Sequence, residues 1–267
     1  MKYYLIIVEG AHDIAVIERI LRLHGIDRAV KHKGELPDVW KRMIPEKYPF
    51  RADNLERITP VPSFWMNDEI SVAIKSAGSD AQLIPCIEEM CKGLKIHEKQ
   101  QLEKVMLISD ADRKNAVEKK NYILNSGEYS EDFQILGNGG DMMLQLDVLS
   151  ENKRILIPLK MYIFPDDENS GTLESLLLES AEIVYPDLKI NAEAYINSVD
   201  PEQYCELQDA IKTSKATIGC IANVLKPGKA NQVALADSEW IGNRSLQCNK
   251  VNKLFQAVGE FLDILHE

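Results

Sequence analysis

Two pairs of carboxylates each follow a short apolar segment of the chain. Glu9 and Asp13 come after residues 3–8, in the sequence VEGAHD, and Asp110 and Asp112 come after the sequence KVMLIS. Since Asp110 and Asp112 are two residues apart, both side chains point to the same side when the chain is extended. Carboxylates that gather in one place repel one another unless a proton or a cation neutralises them. The spacing therefore predicts a cation site.

The ligand types indicate which cation this site binds. A set of carboxylate oxygens without His or Cys suits Mg²⁺ or Mn²⁺ and also admits Ca²⁺. Magnesium usually takes one or two carboxylates together with water and substrate phosphates, so phosphoryl transfer is the reaction we expect. The alternative is structural, because an aspartate after a strand often caps a helix or forms a turn.

Strands that alternate with helices predict where these carboxylates lie. The apolar runs at 3–8, 70–76, 104–109, 133–136 and 155–164 predict strands. Helical spacing predicts helices near 14–21, 81–92, 113–125, 191–225 and 250–265, and a further helix opens in the sequence GTLE. We expect Thr172 to be the N-cap of the helix after it. This pattern is typical of an α/β fold with an open, mostly parallel sheet and helices on both faces. Sites in such sheets form outside the carboxyl ends of the strands.

Domain organisation follows from where the strand pattern stops. We expect a metal-binding α/β domain over residues 1–185 and a smaller helical subdomain over residues 186–267, because strand patterns end near Pro186. Within the first domain, residues 26–68 contain many prolines and charges. We expect this segment to be an insertion with little regular structure.

Composition limits the classes of protein that fit. The chain has 267 residues, with 42 acidic and 31 basic side chains, a formal charge of −11 and a pI near 5.1, so any contact with nucleic acid must be local. The five cysteines form no C-x-x-C pair, which argues against a disulfide framework and a zinc knuckle. No apolar stretch approaches the roughly 20 residues that span a bilayer, and no signal peptide is visible. We therefore expect a cytoplasmic protein without a membrane partner.

A local basic segment is the candidate nucleic-acid interface. Residues 28–57 hold eight Lys or Arg against five acidic residues, with Trp40, Tyr48 and Phe50 among them. Basic charge that holds phosphates and aromatic planes that stack on bases are how proteins bind single strands. We expect Lys41 and Arg42 to bind nucleic acid. The alternative is a proline-rich insertion whose aromatic side chains pack on the body of the protein.

The two carboxylate motifs together resemble a known family. VEGAHD followed about a hundred residues later by LISDAD resembles the Toprim domain, the metal-binding fold of topoisomerases, bacterial primases and the overcoming-lysogenization-defect (OLD) nucleases. The resemblance covers roughly residues 1–185. The segment IFPDDENSGTLE and the lysine-rich tail are similar to those of stand-alone, uncharacterised Toprim-like proteins related to the OLD nucleases.

This resemblance implies a role for each candidate residue. Glu9 matches the glutamate that serves as a metal ligand or general acid/base, and Asp110 and Asp112 match the metal-binding pair. The remaining matches are Asp13 and Glu174, associated with a second metal, and Lys215, which would stabilise charge in the transition state. Because Arg113 and Lys114 follow Asp112, the third aspartate of some Toprim proteins is absent, which disfavours a topoisomerase.

Three functions are compatible with these motifs. The leading one is a divalent-metal-dependent nuclease in nucleic-acid repair or phage defence. The alternatives are a non-catalytic Toprim-like module that binds a partner protein or a nucleotide, and a phosphohydrolase that acts on small nucleotides. No Walker motif occurs in the chain, so any ATPase partner must be a separate chain.

Overall fold

The structure of the protein is a computed structural model that describes residues 1–46, 61–126, 129–137, 142–148 and 152–264. Several residues of the predicted basic segment, among them Tyr48, Phe50 and Arg51, lie outside the described residues. Lys41 and Arg42 lie within them.

The strands form one eight-stranded sheet in the order β2-β3-β4-β1-β5-β8-β7-β6. Their bounds are β1 Lys2–Val8, β2 Arg28–Ala29, β3 Ser63–Met66, β4 Ile70–Ser76, β5 Leu102–Asp110, β6 Phe133–Leu136, β7 Met142–Val148 and β8 Lys153–Phe164. Strand β1 pairs in parallel with both β4 and β5, whereas the pairs β2–β3, β3–β4, β6–β7 and β7–β8 are antiparallel. The sheet is therefore mixed, with parallel strands at its centre.

Strand β1 lies at the buried centre of the sheet, between β4 and β5. Its last five residues, from Tyr4 to Val8, are fully buried, and a continuous apolar run of this kind is typical of a strand that is covered on both faces. The register places Val8 opposite Ser76 of β4 and opposite Ile108 of β5. The α/β class that the sequence predicts is confirmed.

The helices alternate with the strands and then continue alone to the C-terminal part of the chain. Their bounds are α1 Ala11–Leu23, α2 Asp38–Lys41, α3 Leu83–Gly93, α4 Ile96–Lys99, α5 Ala116–Asn125, α6 Leu173–Val184, α7 Pro186–Ser198, α8 Ala210–Leu225, α9 Asn231–Asp237 and α10 Asn249–Phe261. Five of them, α6 to α10, follow the last strand. The sequence predicts helices in this part of the chain, but it predicts no helix at α9. No helix in the part of the chain that the structure describes is long and apolar enough to span a membrane.

Three local predictions differ from the structure. The segment 26–68, predicted to be irregular, contains β2, α2 and β3, and β3 pairs antiparallel with β4. Strand β7 was not predicted, because its sequence MMLQLDV has no β-branched residue before its last position. Residues 191–225 are not one helical region, since α7 ends at Ser198 and α8 begins at Ala210. The strand predicted at 133–136 is confirmed as β6, and it lies at the edge of the sheet.

The chain divides into two compact units, each built from separate stretches. The first comprises Met1–Gly10, Gly25–Ile108 and Lys120–Met161 and carries the paired strands. The second comprises Ala11–His24, Ser109–Lys119 and Tyr162–Glu267 and carries α1 and the C-terminal helices. The domain boundary that we expect at residue 185 stays a prediction.

Candidate functional site

Asp110, the last residue of β5, joins the end of that strand to the start of helix α6. Its Oδ1 atom accepts a 2.7 Å hydrogen bond from the N–H of Leu173. The first N–H groups of a helix have no partner within the helix, and a carboxylate at this end also interacts favourably with the helix dipole. Thr172 occupies the N-cap position as predicted, and the Ser175 hydroxyl accepts from its N–H at 3.2 Å.

Asp112 is held beside the same helix start through its backbone. Asp112 and Gly171 form an antiparallel bridge in which each N–H donates to the other's carbonyl oxygen at 2.8 Å. Asp112 has a φ of 57° and Gly171 a φ of 135°, so both lie in the left-handed region. A Cβ atom on Gly171 would lie 2.9 Å from the Ser175 hydroxyl and 3.2 Å from the ring of Pro165. Glycine is therefore required at residue 171 for this close approach.

Lys119 is a site residue that the sequence analysis missed. Its side-chain Nζ lies 3.0 Å from Asp112 Oδ2, and the residue is only 1% exposed. Ala116, Lys119 and Ile123 are the buried positions of helix α5, with the spacing of three and four residues that an apolar face has. A lysine on such a face is the sequence signal that could have revealed this ion pair.

Glu174, the second residue of α6, has a carboxylate oxygen without a donor. The residue is 6% exposed, and its Oε2 atom has no hydrogen-bond partner among the described residues. Burying an ionised carboxylate oxygen without a donor is unfavourable, so such atoms are normally satisfied by a proton, a water or an ion. Glu174 therefore has the chemistry of a ligand, as the resemblance implies.

The other predicted residues lie in different places. Asp13 is buried in the first turn of α1, in the second unit. Lys215 is an exposed residue of α8, and its side chain has no hydrogen bond or ion pair among the described residues. Glu9 follows β1 in the first unit, where its carbonyl oxygen accepts from the Gly78 N–H and the Ser76 hydroxyl, both at 2.9 Å. The role expected for its side chain stays a prediction.

A divalent cation such as Ca²⁺ or Mg²⁺ needs oxygen ligands that lie close together. Across the described ranges, no three His, Cys, Asp or Glu side chains stand together in a way that could hold a metal ion. A closed protein cage, as Ca²⁺ often has, is therefore absent from this part of the chain. Magnesium needs only one or two carboxylates when waters and a substrate phosphate complete its shell. Asp110 and Glu174, at the start of α6, are carboxylates that could supply such ligands.

A cavity of about 510 Å³ opens beside Asp112 in the second unit. Its lining is partly polar and partly apolar, and Ser170, Thr172, Ser175 and Ser214 contribute hydroxyl groups. Asp112, Arg113 and Asp209 contribute charged groups. Asp209 caps α8 by accepting from the Ile211 N–H at 2.8 Å, and Arg113 lies 2.8 Å from its other oxygen. These two interactions, the backbone bond first, lower the pKa of Asp209. The volume falls within the range of small-molecule sites.

The predicted nucleic-acid residues line a separate cavity of about 660 Å³ in the first unit. Lys41 lies 2.7 Å from Asp38, and Arg42 lies 3.2 Å from Glu98, which is buried. The lining also includes Lys33, Lys95 and His97. Arg42 therefore pairs with a buried carboxylate, whereas Lys41 and Lys33 pair with the exposed carboxylates of Asp38 and Glu46.

Comparisons with known proteins place the chain in a family. A crystal structure of the hypothetical protein PH0156 from Pyrococcus horikoshii OT3 is similar, with 18% identity and a TM-score of 0.47, over 99% of this chain and 97% of that one. The search of curated proteins gave no match. A family model described as a protein of unknown function, DUF3226, matches residues 3–260. Because that match spans almost the whole sequence, the chain belongs to the DUF3226 family.

Proposed function

We propose that the acidic site of the second unit binds Mg²⁺ or Mn²⁺ and performs phosphoryl transfer on nucleic acid, as a metal-dependent nuclease. The observation that carries this proposal is the buried Oε2 atom of Glu174, which has no hydrogen-bond donor among the described residues. It belongs to the residue directly after Leu173, whose N–H is bound by Asp110. Asp110 therefore contacts the start of the helix that carries Glu174, and a hard cation would satisfy the unpaired Glu174 oxygen.

The side chains of the site have distinct tasks in this proposal. A divalent cation bound there would polarise a phosphate oxygen and lower the pKa of an attacking water. Asp110 is positioned by the N–H of Leu173, and Asp112 by its bridge to Gly171. The Asp112 side chain is 49% exposed, so it is open to a ligand while Lys119 holds one of its oxygens. Asp13 and Lys215 keep the roles that the Toprim resemblance implies, a second acidic ligand and a cation for transition-state charge.

Nucleic acid is the proposed substrate because of the basic cavity in the first unit. Its lining holds four Lys or Arg side chains against three carboxylates, so positive charge is in slight excess: Lys33, Lys41, Arg42 and Lys95 against Asp38, Glu46 and Glu98. Phosphate contacts by lysine and arginine dominate the affinity of proteins for nucleic acid. The resemblance of the carboxylate motifs to the OLD nucleases supports the same substrate class, with a separate ATPase chain as a candidate partner.

A phosphohydrolase that acts on small nucleotides is the second candidate. The observation that favours it is the cavity of about 510 Å³ beside Asp112, whose size suits one nucleotide and whose hydroxyl groups could bind sugar or phosphate oxygens. Both enzymes share the acidic site, so they differ in substrate and not in mechanism.

Cleavage assays distinguish these functions. Supercoiled, linear and single-stranded DNA, RNA and nucleoside triphosphates should be incubated with Mg²⁺ or Mn²⁺ and either wild type or Asp110→Asn. Asparagine can still accept the hydrogen bond from Leu173, so the variant keeps the helix cap but loses a ligand charge. Glu182→Gln is the matched control, since Glu182 is an exposed residue of α6 paired only with Lys189 in the described contacts.

We expect the wild type and the control to cut at least one nucleic acid and Asp110→Asn to be at least about 100-fold slower. Hydrolysis of nucleoside triphosphates alone would favour the second candidate. If no substrate is cut, or if Asp110→Asn cuts as fast as wild type, the enzymatic proposals fail and a binding module remains.

A further inference from the structure

We propose that Lys119 is a built-in cation that takes the place of a second divalent ion beside Asp112, so that the site binds one divalent cation and not two. The inference rests on the proposed function for the first cation. It concerns how many divalent ions the site binds, which the sequence motifs alone do not decide.

The position of Lys119 carries the first step. Its Nζ lies 3.0 Å from Asp112 Oδ2, which is the distance of a charge-assisted hydrogen bond. Lys119 is 1% exposed, although a lysine is almost never fully buried unless it is paired. The chain thus places a buried positive charge against one oxygen of Asp112, whose side chain is half-exposed.

The rigidity of both partners carries the second step. The N–H and the carbonyl oxygen of Asp112 are both hydrogen-bonded to Gly171 in the bridge between the two residues. Helix α5, which carries Lys119, is tied to the same loop because the Ala116 N–H donates to the Glu168 carbonyl at 3.2 Å. Neither group can move far from the other without breaking these bonds, so the ion pair is a fixed part of the site.

The third step is the electrostatic repulsion between the Lys119 ammonium group and a divalent ion at Asp112. A buried lysine that loses a carboxylate partner is left with less compensation for its charge, at an energetic cost. A divalent ion at Asp112 Oδ2 would meet the ammonium group at hydrogen-bond distance, where like charges repel strongly. The ion that we propose therefore binds towards Asp110 and Glu174, and Lys119 excludes a second one at Asp112.

Counting bound ions tests this proposal. Mn²⁺ should be titrated calorimetrically into wild type, Lys119→Met and Lys119→Arg. Methionine has a similar length and no charge, whereas arginine keeps the charge and is the matched control. We expect Lys119→Met to bind one more Mn²⁺ per chain than the wild type and Lys119→Arg to bind the same number.

Thermal unfolding gives a second readout. At about 100 times the dissociation constant of the extra ion, Mn²⁺ should raise the melting temperature of Lys119→Met by about 5 °C more than that of the wild type. Equal stoichiometry and equal shifts in these two proteins would overturn the proposal. So would a Lys119→Met protein that is unfolded both with and without Mn²⁺.

A double variant separates the local charge from general damage to the fold. Asp112→Asn combined with Lys119→Met removes both charges, so it should fold and gain no additional Mn²⁺. If the double variant gains the extra ion as well, Asp112 is not its ligand and the proposal fails. If the wild type binds no Mn²⁺ but Lys119→Met binds one, the proposed function fails while the role of Lys119 stands.

Discussion

The carboxylate of Asp110 accepts a 2.7 Å hydrogen bond from the N–H of Leu173, 63 residues further along the chain. This bond gives Asp110 two tasks, because the same side chain caps helix α6 and is a proposed ligand. Substitutions that separate the cap from the charge therefore distinguish a structural aspartate from a functional one.

Asp110→Ala and Asp110→Asn should differ in stability but not in their response to metal. Alanine removes the cap and should lower the free energy of unfolding by about 1 kcal/mol, whereas asparagine caps nearly as well and should cost only a few tenths. Both should lose most of the stabilisation by Mg²⁺, because a ligand charge is gone. Urea denaturation with Mg²⁺ or with EDTA measures both effects. A full Mg²⁺ response in Asp110→Asn would show that this aspartate is only a cap.

Glu174→Gln should remove the penalty of a buried, unsatisfied charge. In EDTA the variant should be at least as stable as the wild type, since an amide is less costly to bury than an unpaired carboxylate. With Mn²⁺ the order should reverse, because only the wild type gains stability by binding the ion. Melting temperatures in both buffers test this, with Glu182→Gln as the exposed control on the same helix. An equal Mn²⁺ response in Glu174→Gln and wild type would exclude Glu174 as a ligand.

The cysteines should differ in their rates of alkylation. Burial, assisted by the nearby Glu179 carboxylate, raises the pKa of Cys248 to about 11, and burial raises the pKa of Cys91 to about 12. At pH 8 both are protonated and inaccessible, whereas Cys205 is exposed. Iodoacetamide should therefore label Cys205 first, as mass spectrometry of peptides can show. Labelling of Cys248 at the same rate would contradict the packing of α10 against α6.

Acid should destabilise the protein partly through Asp166. Burial raises the pKa of this carboxylate, but hydrogen bonds from the backbone and side chain of Asn169 and from the Glu168 N–H outweigh it, so the pKa is lowered overall. A lowered folded-state pKa adds stability that is present above the unfolded value, near 3.9, and is lost as the pH falls through the folded value.

The Asp166→Asn variant tests this contribution. It should be less stable than the wild type at pH 7, and its free energy of unfolding should fall less steeply below pH 4. Urea denaturation at intervals between pH 7 and pH 3 gives both curves. Parallel curves would mean that Asp166 does not contribute to the acid transition.

Charge reversal in the basic cavity should weaken binding to nucleic acid. Lys41→Glu with Lys95→Glu is the informative pair, because Arg42 neutralises the buried Glu98 and its loss would disturb the fold. If each lysine contacts one phosphate, the slope of log affinity against log salt should become shallower by roughly 1.5, and Mg²⁺ binding should not change. Fluorescence anisotropy with labelled single-stranded DNA measures the slope. An unchanged slope would remove this cavity from the interface.

Local patterns determined much of the fold. The continuous apolar run of β1 predicts a central strand, and the short run at 133–136 predicts an edge strand, because these patterns depend only on burial and on the period of the side chains. The N-cap at Thr172 is predicted for the same reason, since capping depends on neighbouring residues. Strand β7 and the strands within 26–68 were missed, because their packing in the sheet overrides a weak local signal.

The sequence by itself determined which carboxylates follow the strands β1 and β5, and their oxygens predict Mg²⁺ or Mn²⁺ as the ligand. Only the tertiary structure decided that Asp110 caps α6, that Asp112 is bridged to Gly171, and that a buried Lys119 neutralises it. The physical reason is distance along the chain. Hydrogen bonds and ion pairs between remote residues depend on how strands and helices pack, and neither the types nor the spacing of neighbouring residues encodes that packing.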